Sequence, residues 1–276
     1  MPAPSALADL AAKAKQIRRD IINETTAAGS GHPTSSLSAV ELTVPLYFGG
    51  VMKFDAKNPK WPGRDRFILS KGHAAPLLYA LLAEAGFFPT DMLPTLRKLG
   101  SPLEGHPNMR RLDGVEASTG SLGQGLSIGI GHALALKLDK SDARVYVLLG
   151  DGEIEEGQVW EAAMSAVKFK LDNLVAIVDQ NGYQQTGATA EVMDLKPLAP
   201  KWEAFGWFAQ EIDGHDLKSV IAAYEKAKQK KGRPSVIVGR TKKGYPIQDV
   251  IHDPNHHGKP LTKDEAKKAI EYIDAH

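Results

Sequence analysis

Three patterns in this 276-residue chain put chemically able side chains where loops are expected. The first is Gly150-Asp151-Gly152, which follows the apolar run RVYVLL at 144–149, with Asn181 thirty positions after Asp151 and just past a second run, LVAIVD at 174–179. Magnesium is a hard ion that takes one or two protein oxygens and completes its octahedron with phosphate oxygens and water. Asp151 can supply the charge, Asn181 a neutral carbonyl oxygen, and a backbone carbonyl near Tyr183 a third ligand. Gly150 and Gly152 would let the backbone approach a diphosphate more closely than side chains allow. Taken alone, the Gly-Asp-Gly triplet reads as a strand–turn–helix in which Asp151 caps the helix. The second pattern is four histidines beside Gly or Pro, namely His32, His73, His106 and His257. Each alone reads as a turn residue, but an imidazole titrates near neutral pH and can take and return a proton. The third is the Gly- and Ser-rich stretch 118–126, STGSLGQGL.

The elements around these residues decide whether they can meet. Residues 144–149 and 174–179 read as strands joined by a helix over 155–168, a βαβ unit with a parallel sheet. Both strands are nearly continuous in apolar residues, which suits a sheet covered by helices on both faces. Asp151 and Asn181 then share its carboxyl edge, where open α/β folds bind ligands. Apolar spacing predicts helices over 6–27, 36–47, 75–86, 93–99, from the glycine-rich stretch to about Lys137, and over 217–230. Strands are expected at 67–69, 207–212 and 235–241, a long polar loop at 242–259, and a short helix over 261–276. No repeat or linker interrupts the alternation, so residues 1–276 are expected to form one α/β domain.

Composition narrows the classes. With 34 Lys+Arg against 33 Asp+Glu, the net charge of +1 gives no global field for nucleic acid or an anionic membrane, so phosphate must be held locally. The absence of cysteine excludes disulfides, thiolate metal sites and a cysteine nucleophile. No stretch approaches the roughly 20 apolar residues of a membrane span, and the N-terminus lacks a signal-peptide core. A cytoplasmic location is the expectation.

The spaced segments Ser30-Gly31-His32-Pro33-Thr34-Ser35-Ser36, Leu69-Ser70-Lys71-Gly72-His73-Ala74, Glu104-Gly105-His106-Pro107, Ser118 to Gly125 and His257-Gly258-Lys259-Pro260-Leu261 resemble transketolases in order and content. The Gly-Asp-Gly…Asn pair is similar to the thiamine-diphosphate signature shared more widely. The resemblance implies a domain that binds the diphosphate of thiamine diphosphate through Mg2+, or another divalent cation such as Ca2+, with Asp151, Asn181 and Tyr183 as metal ligands. It implies that Ser35, His73, Gly120, Ser121, Leu122, Asp151, Gly152, Glu156, Asn181, Lys243 and His257 bind the cofactor. It further implies that His32 and His257 handle the proton of the donor sugar's C3 hydroxyl, that His106 meets its terminal hydroxyls and that His73 sits near the reacting carbon. Glu156 would face a carboxylate across a subunit interface. His132 reads as packing, and His215, His252, His256 and His276 have no assigned role.

Transketolases also use a pyrimidine-binding domain, which has no counterpart in these residues. The resemblance therefore implies that a C-terminal partner chain supplies it, in a two-plus-two assembly with sugar phosphates as substrates and little turnover without the partner. Alternatives are the same half of an enzyme for branched or sulfonated sugar phosphates, the α chain of a 2-oxoacid dehydrogenase, a deoxyxylulose-phosphate synthase, or a non-catalytic binding protein.

Overall fold

The computed structural model describes residues 4–275; Met1 to Ala3 and His276 lie outside them. Five strands form one sheet: β1 (Arg66–Leu69), β2 (Val145–Gly150), β3 (Leu174–Gln180), β4 (Phe208–Asp213) and β5 (Ser235–Arg240). Their spatial order is β1-β2-β3-β5-β4, and every neighbouring pair is parallel. Gly150 lies opposite Asp179, and Gln180 opposite Arg240, so β2, β3 and β5 end together at one edge.

Ten α-helices accompany the sheet: α1 (Pro4–Ala28), α2 (Pro33–Leu37), α3 (Val40–Phe48), α4 (Ala75–Glu84), α5 (Gln124–Leu138), α6 (Gly157–Lys168), α7 (Thr189–Val192), α8 (Leu198–Ala204), α9 (Leu217–Gln229) and α10 (Lys263–Ala275), counted among the described residues. Side chains along a strand alternate between faces, and the core divides accordingly. Phe67, Leu69, Tyr146, Leu148, Val175, Ile177 and Ile237 pack with α1, α3, α4, α9 and α10. Ile68, Val145, Val147, Leu149, Ala176, Val178, Val236 and Val238 pack with α5, α6 and α8. Helices therefore cover both faces, and β2, β3 and β5 are apolar along most of their length because neither face meets water, whereas the edge strand β4, FAQEID, stays partly exposed.

Two helices expected from spacing take other forms. The span 36–47 is broken between α2 and α3, because Ser38 at the break commits its hydroxyl to the Asp179 carboxylate (2.6 Å) at the sheet edge. The span 93–99 holds only a 3-10 turn, Thr90–Thr95, which contains Pro94. Proline cannot donate to a helical ladder, and Arg97 with φ of 59° turns the chain away. The expected loop at 242–259 carries two 3-10 turns, Gln248–Val250 and Pro254–His256.

Candidate active site

The carboxyl edge of the sheet opens into a cavity of about 310 Å³. Loops after four strands line it: Lys71 and His73 after β1, Gly150 to Glu153 after β2, Asn181 to Gln185 after β3, and Lys243 with His257 after β5. His32 and Ser35 enter from the α1–α2 junction, and His106, Gly120 and Leu122 from the segment between α4 and α5. Of the residues singled out from sequence, Ser121 and Glu156 do not line the cavity; both are exposed, Ser121 beside the lining pair Gly120 and Leu122, Glu156 at the start of α6. A motif names a loop, but the residue that turns inward depends on local backbone direction.

Three of the lining histidines form a triangle. Ring centroids are 5.2 Å apart for His32 and His73, 5.4 Å for His32 and His257, and 5.5 Å for His73 and His257. Burial lowers the pKa of each: His32 to about 4, with Arg97 adding to the effect, His257 to about 3, with Lys243 adding, and His73 well below its usual range, with Lys71 adding. Burial and Arg97 also lower His106. All four are therefore neutral imidazoles near pH 7, able to accept a proton from a hydroxyl. The Nδ1 of His32 is buried with no hydrogen-bond partner among the described residues.

Gly120 lets His106 approach. Its φ is 143°, and a Cβ there would stand 3.0 Å from the imidazole. At Gly152 a Cβ would meet Gln184 at 2.6 Å, so this close approach of the loops after β2 and β3 requires a glycine.

Asp151 is buried, and its carboxylate accepts N–H groups from Gly152 (3.1 Å) and Gly182 (2.7 Å). Asn181 accepts the Tyr183 N–H (3.1 Å) and donates to Asp179 (3.1 Å). Burial, with Asp179 nearby, raises the Asp151 pKa to about 7, and Asp151 has no ion-pair partner among the described residues. Lys71 is taken by Asp179 (2.5 Å), while Lys243 meets His257 and the carbonyls of Tyr183 (3.5 Å) and Gln184 (3.4 Å). Burial lowers Lys243 to about 8.

This donor set could take a diphosphate and a divalent cation. An unpaired buried carboxylate, a neighbouring amide oxygen and backbone carbonyls suit a hard cation that keeps phosphate and water ligands. No cluster of three or more His, Cys, Asp or Glu suited to a metal occurs among the described residues, so a cation here would need such mixed ligands.

A pH dependence follows. Asp151 rises from 3.8 to about 7 on folding, so its protonation favours the folded chain. That contribution is complete below about pH 4 and is lost as pH rises through 7. Magnesium pyrophosphate should offset the buried charge, so its thermal stabilisation at pH 8 should exceed that at pH 6 by about 3 °C. Equal shifts in a melting assay would remove Asp151 as the cation's partner.

Several residues at the site were given no role by the motifs. Glu153 is buried and ties three loops together, accepting from Ser70 Oγ, Gly123 N (3.0 Å) and Gly150 N (3.0 Å). Lys71 and Asp179 form a buried ion pair beneath the cavity. Gln184 and Gln185 line it. The available signal was a charge inside or at the end of an apolar run, as at Asp179 in LVAIVD.

Comparison with known proteins accounts for this arrangement. Residues 10–273 match the family described as the thiamine diphosphate binding domain of transketolase. The chain is 44% identical over 266 residues to the 6-deoxy-6-sulfo-D-fructose transketolase subunit SqwG of Clostridium sp. (strain MSTE9), covering 96% of both chains. It is 44% identical to an apulose-4-phosphate transketolase subunit of Actinobacillus succinogenes, again covering 96% of each. It is 45% identical to human transketolase over 94% of this chain, but spans only 41% of that protein. The structure of Leishmania mexicana transketolase superposes with a TM-score of 0.91 at 30% identity, over 96% of this chain and 41% of that one. The chain therefore belongs to the transketolase family, corresponding to its thiamine-diphosphate-binding domain.

Proposed function

We propose that this chain is the diphosphate-binding subunit of a two-chain transketolase that moves a two-carbon ketol unit from a ketose phosphate to an aldose phosphate. The observation that carries the reading is the triangle of three neutral histidines in one cavity with a buried Asp151 that has no ion-pair partner among the described residues. Asp151, Asn181 and the carbonyl of Tyr183 would hold a divalent cation, and Lys243 the diphosphate. When bound, thiamine diphosphate supplies a carbon nucleophile and an electron sink. The protein's own task is to orient the sugar and move protons. His32 and His257 would take the proton from the donor's C3 hydroxyl as the C–C bond breaks and return one to the acceptor's oxygen. His106 would orient the donor's terminal hydroxyls, and His73 would stand near the reacting carbon. Glu156, exposed at the start of α6, is available to a carboxylate on another chain of the assembly.

The partner would bring the pyrimidine-binding half. Two relatives that this chain covers almost end to end are named as subunits, whereas human transketolase is more than twice as long as the matched span. Helix α5 is apolar on several sides, yet Leu138 at its end is exposed, as are Met164 on α6 and Phe169 just after it. Apolar exposure of this kind suits an interface between chains. A two-plus-two assembly in the cytoplasm completes the reading. Those same relatives favour a second reading of the substrate, a sulfonated ketose or a branched sugar phosphate rather than xylulose 5-phosphate.

Reconstitution tests both. Purified chain with thiamine diphosphate and Mg2+ should turn over at less than about a thousandth of the rate with its companion, since half of the cofactor site is missing. Equal turnover without the companion would defeat the two-chain reading. Assaying the pair on xylulose 5-phosphate, a sulfonated ketose and a branched ketose phosphate would identify the donor.

A further inference from the structure

Outside the cavity, one cluster of titratable side chains is built too closely to be surface decoration. His215 follows β4 in the turn Asp213-Gly214-His215, which rests on the end of β5: Gly214 N donates to Arg240 O (2.8 Å), and a Cβ at Gly214 would stand 2.5 Å from Thr241. The His215 ring stacks on Tyr245 with centroids 3.8 Å apart. Its Nδ1 lies 3.1 Å from Glu41 on α3, and its Nε2 lies 2.9 Å from the backbone N of Lys242. Glu41 is paired with Arg18 of α1, both nearly fully buried, and Arg18 lies over the Tyr245 ring at 5.3 Å. Burial would raise the Glu41 pKa, but Arg18 and His215 outweigh it, so the carboxylate stays ionised.

The geometry assigns the tautomer. A backbone N–H can only donate, so Nε2 must accept from Lys242, and the proton sits on Nδ1 facing Glu41. Arg18, Glu41 and His215 thus form a relay of charge-assisted contacts from three elements that ends on one amide. The next residue is Lys243. Its ammonium reaches His257 and the carbonyls of Tyr183 and Gln184 at the cavity wall. Lys243 is almost completely buried, so its long stem has little room to correct a displaced backbone.

We propose that His215, oriented by Glu41 and Arg18, is a positioning residue that fixes the Lys242 backbone and thereby aims Lys243 at the diphosphate. The inference rests on the cofactor reading above, and it adds a residue that neither the motifs nor the cavity identifies.

Isosteric variants of the chain, each assembled with the companion chain, test it. Gln places an acceptor where Nε2 stands, Asn places an amide where Nδ1 stands, and Phe keeps only the stack on Tyr245. His215→Gln should bind magnesium thiamine diphosphate within about threefold of wild type, whereas His215→Asn and His215→Phe should each lose about tenfold, the equivalent of one hydrogen bond to a held backbone. Melting temperatures would separate lost folding from lost positioning. Equal binding by Gln and Asn variants of equal stability would overturn the proposal. A second measurement needs no cofactor: 15N resonances of the wild-type chain should show His215 as the Nδ1–H tautomer, with the Lys242 amide slow to exchange in His215→Gln and fast in His215→Asn. An Nε2–H tautomer, or identical exchange in the two variants, would also overturn it. If the amide and tautomer results hold while no assembled pair, wild type included, binds thiamine diphosphate, the cofactor reading fails and the assignment of His215 to an aim on that cofactor falls with it.

Discussion

Replacing Asp151 with Ala should weaken binding of magnesium thiamine diphosphate by more than about a hundredfold, roughly 3 kcal/mol, because it removes a buried cavity carboxylate that has no ion-pair partner among the described residues. The side chain does two things. One is electrostatic: a charge held in low dielectric, with Lys71 and Lys243 acting on it only from beyond ion-pair distance, attracts a divalent ion more strongly than an exposed carboxylate would. The other is geometric, since its oxygens accept from Gly152 and Gly182 and so hold the loops after β2 and β3 at a common edge. Asp151→Asn separates the two, keeping the volume and one acceptor while deleting the charge. At pH 8 this variant should melt at or above the wild-type temperature when ligand-free, because a buried charge raised to about 7 opposes folding there. It should still fail to bind. Stability gained as ligand affinity is lost would mark a carboxylate kept for its ligand. Calorimetry with magnesium pyrophosphate and with the complete cofactor reads the affinity. Unaltered binding by both variants would remove the cation from Asp151.

The order of the strands' contributions was legible because β2, β3 and β5 are buried on both faces and read as unbroken apolar runs. Their parallel pairing followed from the helices between them. With the edge placed, Asp151 and Asn181 were expected to meet there, whereas Lys243 and the four histidines were singled out only by the resemblance of the segments that hold them. Periodicity gave no sign of what holds the loops in place. Lys71 and Asp179 are 108 positions apart and Ser70 and Glu153 are 83 apart, so each pair exists only in three dimensions. His215 was invisible for the same reason, since Arg18, Glu41 and Lys242 come from three distant stretches. Ser121 shows the converse limit: its motif is at the cavity while its side chain faces solvent. The 3-10 turn at Thr90–Thr95 has an apolar spacing that imitates a helix, one that Pro94 cannot complete.

The second large effect is expected at the ion pair beneath the site. Lys71 is 1% exposed and Asp179 0%, and the contact between them is 2.5 Å. Asp179 also accepts from Ser38, Asn181 and Thr241, while Lys71 donates to the Ser35 carbonyl (2.8 Å). One cluster thereby ties β3 to the loop after β1, the break between α2 and α3, and the start of the segment after β5. Burial would raise the Asp179 pKa, but Lys71 and the hydroxyl donors outweigh it and hold it below the usual value. A depressed carboxyl contributes stability that is present above its unfolded pKa and is lost as pH falls through the folded one. Lys71→Met reverses the balance by leaving an unpaired charge in the interior, which should cost about 3 kcal/mol at pH 7.5 and lower the melting temperature by about 9 °C. Because Asp179 can then escape by protonation, the cost should shrink as pH falls toward 6. Adding Asp179→Asn, which keeps an acceptor for Thr241 and Ser38, should recover about 2 kcal/mol of the loss, the signature of coupled partners in a double-mutant cycle. Additive losses, or a Lys71→Met cost that does not change between pH 7.5 and 6, would mean that the two charges are not the brace on which the cavity floor depends.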